Sequence, residues 1–179
     1  MINPEYYSLF HILIVMLFAL SYLGKFSYQS NKILFTKRSG FGEVVMLYVI
    51  LFVLIVGMRP IDDCFTDMVG YASGFEQMSI TGNWESFVNE ERNEWLWTWF
   101  VFQCSKIMNV HMFFTIVELL YILPIVLVVR KIIHIRNDVA LLFYLGSFSF
   151  FAYATNTIRS GVALSLISLA ISFVRGSRV

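Results

Sequence analysis

The chain has 179 residues, 58% of them hydrophobic and 14% charged, with a mean hydropathy of +0.72. That balance excludes an ordinary soluble domain, while the net charge of +1 decides nothing until its distribution is read. The two cysteines, Cys64 and Cys104, have neither CxxC nor Cys/His ligand spacing, so no disulfide framework or metal site is expected.

The first apolar run, Tyr6–Leu23, follows Met1-Ile2-Asn3-Pro4-Glu5. With no basic start and no small-residue cleavage site before Lys25, it predicts a retained helix, not a signal peptide. Further spans are predicted at Gly42–Met58, Phe113–Val129, Val139–Tyr153 and Ile158–Val174, with a shorter apolar stretch at Trp95–Met108. A helix crosses ~30 Å of hydrocarbon with ~20 apolar residues. The runs are uniformly apolar, without the alternation of barrel strands. The expected fold is therefore an all-α polytopic integral membrane protein. About five transmembrane helices form it, with one re-entrant or interfacial helix at Trp95–Met108 and a long outer loop, about 59–94. No internal repeat or linker divides the chain, so residues 1–179 read as a single transmembrane domain.

Positive charge fixes the expected orientation, because cytoplasmic loops collect Lys and Arg. If Trp95–Met108 does not cross, Lys25, Lys32, Lys37, Arg38, Arg130, Lys131, Arg136, Arg175 and Arg178 all lie inside. Arg59, Arg92 and Arg159 are then left outside. If it crosses, the basic residues divide almost evenly and the rule is broken. The N-terminus is accordingly expected outside.

The outer loop holds Asp62, Asp63, Asp67, Glu76, Glu85, Glu90, Glu91 and Glu94, most of the twelve acids in the chain. Solvation alone explains an acidic outer loop. Yet Met68, Tyr71, Ala72, Phe75 and Met78 recur at helical spacing, which predicts an interfacial helix from Asp67. On it Asp67 and Tyr71, four apart, face the same way. A carboxylate and a phenol so placed suit a sugar, whose hydroxyls donate to carboxylates and whose apolar face packs on rings; they suit a local Asp–Tyr hydrogen bond equally well. Arg59 stands at the end of the second span, where the helix dipole favours a cation. Arg159 stands in a first helical turn after Asn156-Thr157, where the dipole disfavours one. Either a phosphate at this N-terminus or a loop carboxylate would compensate it. Glu118, about 8 Å into its span at 1.5 Å per residue, needs a partner or a function, and Lys106 is the expected partner. Trp95, Trp97 and Trp99 spread over several helix faces, as interfacial anchors do.

These motifs, in this order, carry a resemblance. Gly57-Met58-Arg59-Pro60 with Thr66-Asp67-x-x-x-Tyr71, an acid opening a hydrophobic stretch at Glu94, and Asn156-x-x-Arg159 followed by Gly161 and Ala163 resemble the EpsG family of Wzy-like bacterial exopolysaccharide and capsule polymerases. Ser160, where members often have Gln, and Phe65-Thr66, where they often have Gly, depart from its pattern. Members are typically much longer, so the resemblance implies an N-terminal portion, inactive alone if the remainder is lost. It further implies a multi-pass protein of the bacterial inner membrane. The activity implied is glycosyl transfer from an undecaprenyl-pyrophosphate-linked glycan to a lipid-linked repeat unit, with no cofactor. Implied partners are the lipid-linked oligosaccharide, membrane lipid and other polysaccharide-assembly proteins, and no nucleic acid. By this resemblance Asp67, Arg59 and Arg159 are the expected catalytic residues, Asp67 as base and the arginines against the departing pyrophosphate. Tyr71, Asn156 and Glu94 are the expected substrate-binding residues. Alternative readings are a lipid-linked glycan flippase, with Glu118 and Lys106 in its path, or a non-catalytic membrane subunit.

Overall fold

A computed structural model describes residues 3–29, 43–82, 84–85, 87, 94–133 and 137–176. Lys32, Lys37, Arg38, Arg92, Arg136 and Arg178, on which part of the charge-based orientation rests, lie outside the described residues, as do Glu90 and Glu91. Among the described residues the structure is helical throughout. A 3-10 turn at Pro4–Tyr6 leads into α1 (Tyr7–Gln29), α2 (Glu43–Gly57), α3 (Thr66–Ile80) and α4 (Trp95–Ile107). Then follow α5 (Val110–Ile132), α6 (Asn137–Leu145), α7 (Phe148–Thr155) and α8 (Ile158–Gly176).

The bundle is built from α1, α2, α5, α8 and the α6–α7 pair. Two segments, Pro4–Ser21 and Val110–Ile132, are long and apolar enough to cross a membrane, and Val45–Gly57 and Ile158–Val174 are shorter apolar helices. Leucines and isoleucines cover the outside of these helices: Leu17, Ile50, Leu123 and Ile167 are each at least half exposed. Such a surface suits lipid, where apolar side chains gain nothing from leaving the hydrocarbon.

The most extensive pairing is α5 with α8. Pro124 lies inside α5 and has no N–H to give the Leu120 carbonyl. Ser165 of α8 faces that carbonyl, its Oγ 3.5 Å away, as neighbouring hydroxyls do for proline-bearing membrane helices. A Cβ on Gly161 would stand 3.3 Å from the Tyr121 ring, so small residues on α8 let α5 approach. Between α2 and α5 the approach is closer still: a Cβ on Gly57 would lie 2.6 Å from Thr115 Cα. Gly57→Ala must push the helices apart, and overpacking of this kind costs about 1–3 kcal/mol. Thermal unfolding of the purified variant checks this, and an unchanged melting temperature would contradict the packing.

The single span expected at Val139–Tyr153 is two helices. Its apolar run is continuous, but the chain breaks at Gly146-Ser147. Ser147 Oγ accepts from the Phe150 N–H (3.2 Å) and caps α7, and a Cβ on Gly146 would meet Val15 of α1 at 2.9 Å. A hydroxyl that can start a new helix and a glycine under α1 together interrupt the run.

Helix α3 forms where the spacing predicts, with Met68, Ala72 and Phe75 buried. It lies beside α4, and both rest on Phe113 in the first turn of α5. The Phe75 and Phe113 centroids are 5.0 Å apart, and Phe100 and Trp97 stand 5.9 and 6.3 Å from the same ring. The α3–α4 pair thus covers the end of the bundle where α2 and α7 finish and α5 and α8 begin. Arg130 and Lys131 occupy the last turn of α5 at the opposite end.

Candidate functional site

One stripe of α3, Asp67, Gly70, Tyr71, Gly74 and Met78, forms the wall of a cleft of about 570 Å³, within the range of small-molecule sites. Its residues fall at i, i+3, i+4, i+7 and i+11, so the helical period alone aligns them. Glu94 and, from α4, Trp95 and Trp97 stand on the opposite wall, and Phe87 and Arg159 are among the other lining residues. A Cβ built on Gly70 or Gly74 would meet nothing within 4 Å, which leaves this wall open along its length. Asp67 is exposed in the first turn of α3, where the dipole favours a carboxylate. Tyr71 packs edge-on to Trp97, centroids 5.8 Å apart. Burial raises the Tyr71 phenol above its ordinary range, Arg159 opposes that rise, and Asp67 and Glu94 add to it. The phenol therefore stays neutral near pH 7 and can donate a hydrogen bond.

Arg159 and Glu94 form an ion pair across the cleft. Glu94 precedes α4 without using its side chain as a cap, which leaves the carboxylate available to Arg159. The loop carboxylate expected to compensate a cation in the first turn of α8 is that of Glu94. Both side chains remain nearly half exposed, 42% and 46%, and a pair so open to solvent contributes little stability.

Arg59 is not brought into the cleft. Its side chain is wholly buried one layer below. Nη1 donates to the Val56 carbonyl (2.5 Å) and lies 3.4 Å from Glu118 Oε1, and Nη2 donates to the Thr155 carbonyl (3.1 Å). Val56 and Thr155 lie in the last turns of α2 and α7, so one guanidinium meets two helix C-termini, the partners its charge suits. The carbon of the guanidinium stands 5.2 Å from the centre of the Phe65 ring and 5.8 Å from that of Phe114. A role that needs contact with a leaving group does not fit this placement.

Asn156 is also elsewhere. It ends α7, its N–H donating to Ala152, and its side chain lines a separate groove of about 240 Å³ with Glu5, Tyr7, Cys64 and Phe148. The expected Lys106–Glu118 pair is replaced by two others. Lys106 Nζ donates to the Met78 and Thr81 carbonyls, at 2.8 and 3.1 Å, at the end of α3. Glu118 faces α2 and takes Arg59 instead. In each case the cation nearest a helix C-terminus has stayed there.

Sequence reasoning missed Trp95 and Trp97 as cleft walls, because three tryptophans at spacing two look like interfacial anchors. It also missed the glycine wall, although Gly70 and Gly74 share the stripe of Asp67 and Tyr71 and could have been found by the same period.

These features define a helical membrane protein with a polar, aromatic-lined cleft at one end of its bundle. A model of the EpsG family matches residues 44–178, which take in α3 to α8 and all of α2 but Glu43, and the chain belongs to the EpsG family of exopolysaccharide-related membrane proteins. No curated protein and no solved structure matches it.

Proposed function

We propose that this protein is a membrane polysaccharide polymerase that moves a glycan from an undecaprenyl-pyrophosphate carrier onto a lipid-linked repeat unit at the outer face of the bacterial inner membrane. The observation that carries this reading is the convergence of Asp67, Tyr71, Trp95, Trp97, Glu94 and Arg159 on one cleft. Indoles and a phenol pack on the apolar face of a sugar, and carboxylates accept its hydroxyl hydrogens. In the reaction the acceptor hydroxyl oxygen bonds to the donor's anomeric carbon, and Asp67 takes its proton. The bond from that carbon to the pyrophosphate oxygen breaks, and its electron pair leaves with the pyrophosphate. Arg159, released from Glu94, meets the new charge. The free energy comes from the donor linkage, so no nucleotide takes part.

The flippase reading took Glu118 and Lys106 as a charged path, and their separate partners remove that support. The test is the glycan made by a strain lacking the gene. A polymerase leaves single repeat units exported and no long polymer; absence of all export would sink the proposal in favour of a flippase.

A further inference from the structure

We propose that Glu118 is a positioning residue for this cleft: it anchors Arg59 so that the guanidinium fixes the Thr155 carbonyl and the Phe65 ring, and with them the separation of Asp67 from Arg159. The chain links are short. Phe65 stands at the start of α3, two residues before Asp67, and Thr155 lies four residues before Arg159. The turn into α3 is itself tight, with the Cys64 N–H donating to Asp62 Oδ1 (3.0 Å) and the Phe65 N–H to the Asp62 carbonyl (2.9 Å). Movement of Phe65 is therefore passed to Asp67. One buried cation thus touches the chain just before each of two opposing cleft residues.

The pair is poorly built for stability alone. Only one Glu118 oxygen meets Arg59, at 3.4 Å, and Arg59 Nε and Glu118 Oε2 are buried without a hydrogen-bond partner among the described residues. A buried ion pair is often matched or exceeded in stability by apolar side chains of similar size. The remaining donors of Arg59 explain its geometry, since its planar fork spans the ends of α2 and α7 at once, a reach that a lysine ammonium lacks. Glu118 supplies the counter-charge that keeps this fork in an apolar layer. Its effect on rate rests on the proposed transfer reaction; its effect on geometry does not.

The test uses the full chain in lipid nanodiscs, with Cys64→Ser and Cys104→Ala. Spin labels on Gly70→Cys and Ser160→Cys report the α3–α8 separation across the cleft. Labels on the exposed Leu123→Cys and Ile167→Cys report α5–α8 as a control. Glu118→Gln keeps the shape and removes the charge. The expected result is a broadened or shifted cleft distance with the control distance unchanged. An unchanged cleft distance, or equal broadening of both pairs, overturns the proposal. If Glu118→Gln does not fold, the double variant Arg59→Met, Glu118→Met is read in the same way. In the transfer assay kcat should fall by about 10²-fold, the loss that a misplacement of ~1 Å produces, with KM nearly constant. An altered distance with an unchanged rate also overturns it. A wild-type chain that transfers no glycan removes the polymerase reading and leaves the distance measurement decisive.

Discussion

Replacing Arg59 with methionine is expected to cost about 3–5 kcal/mol of stability, the loss that follows when one member of a buried ion pair is removed. Three things go wrong at once. Glu118 loses its cation in a layer where its side chain is 2% exposed and must take up a proton or stay buried unpaired, and the Val56 and Thr155 carbonyls lose the donors that reach them at 2.5 and 3.1 Å. The two rings that flank the guanidinium also lose their cation. The measurement is thermal unfolding of the purified chain in detergent. Adding Glu118→Met should restore most of the lost stability, because the orphaned buried carboxyl is the largest part of the penalty. Arg59→Lys should fall between, since one ammonium cannot bridge both helix ends. A melting temperature for Arg59→Met equal to the wild type would show that the buried pair is not formed.

Asp67→Asn is the second large effect, and it falls on activity alone. Asp67 is exposed and asparagine has nearly its shape, so the fold should be untouched. A positioned general base contributes typically 10²–10⁴-fold, and loss of polymer synthesis of about that size is expected. Polymer length and rate in a strain carrying only the variant read this directly. Normal polymer made at the normal rate would remove Asp67 from the role of base. Tyr71→Phe offers a milder comparison, since the phenyl ring keeps its place against Trp97 and only the neutral donor is lost.

Much of this architecture was legible in local sequence. The period of Met68, Ala72 and Phe75 placed α3, and the same period set Asp67 beside Tyr71. The apolar runs at Phe113–Val129 and Ile158–Val174 needed no tertiary information to read as helices. What was hidden was set by contacts between distant residues. Arg59 meets Glu118 across 59 positions and Thr155 across 96, and nothing near Arg59 in the chain shows that it is buried and not facing a substrate. The break at Gly146 was hidden for a related reason. Two things make it: the approach of Val15 of α1 to Gly146, which no local reading shows, and the Ser147 hydroxyl that caps α7, a signal present in the run itself. Asn156 misled in the opposite way, because only Asn156 and Thr157 separate the end of α7 from the start of α8, and a motif that spans the joint places its two ends in different grooves.

The Arg59–Glu118 contact also bears on how the chain is made. Translation delivers α2 before α5, so the guanidinium is already at the end of its helix when the segment bearing Glu118 emerges. A lone acidic residue near mid-helix raises the cost of entering the bilayer by about 2.5–3.5 kcal/mol. A waiting counter-charge lowers that cost for α5 in this order of synthesis, which makes α2 a guide for the insertion of α5.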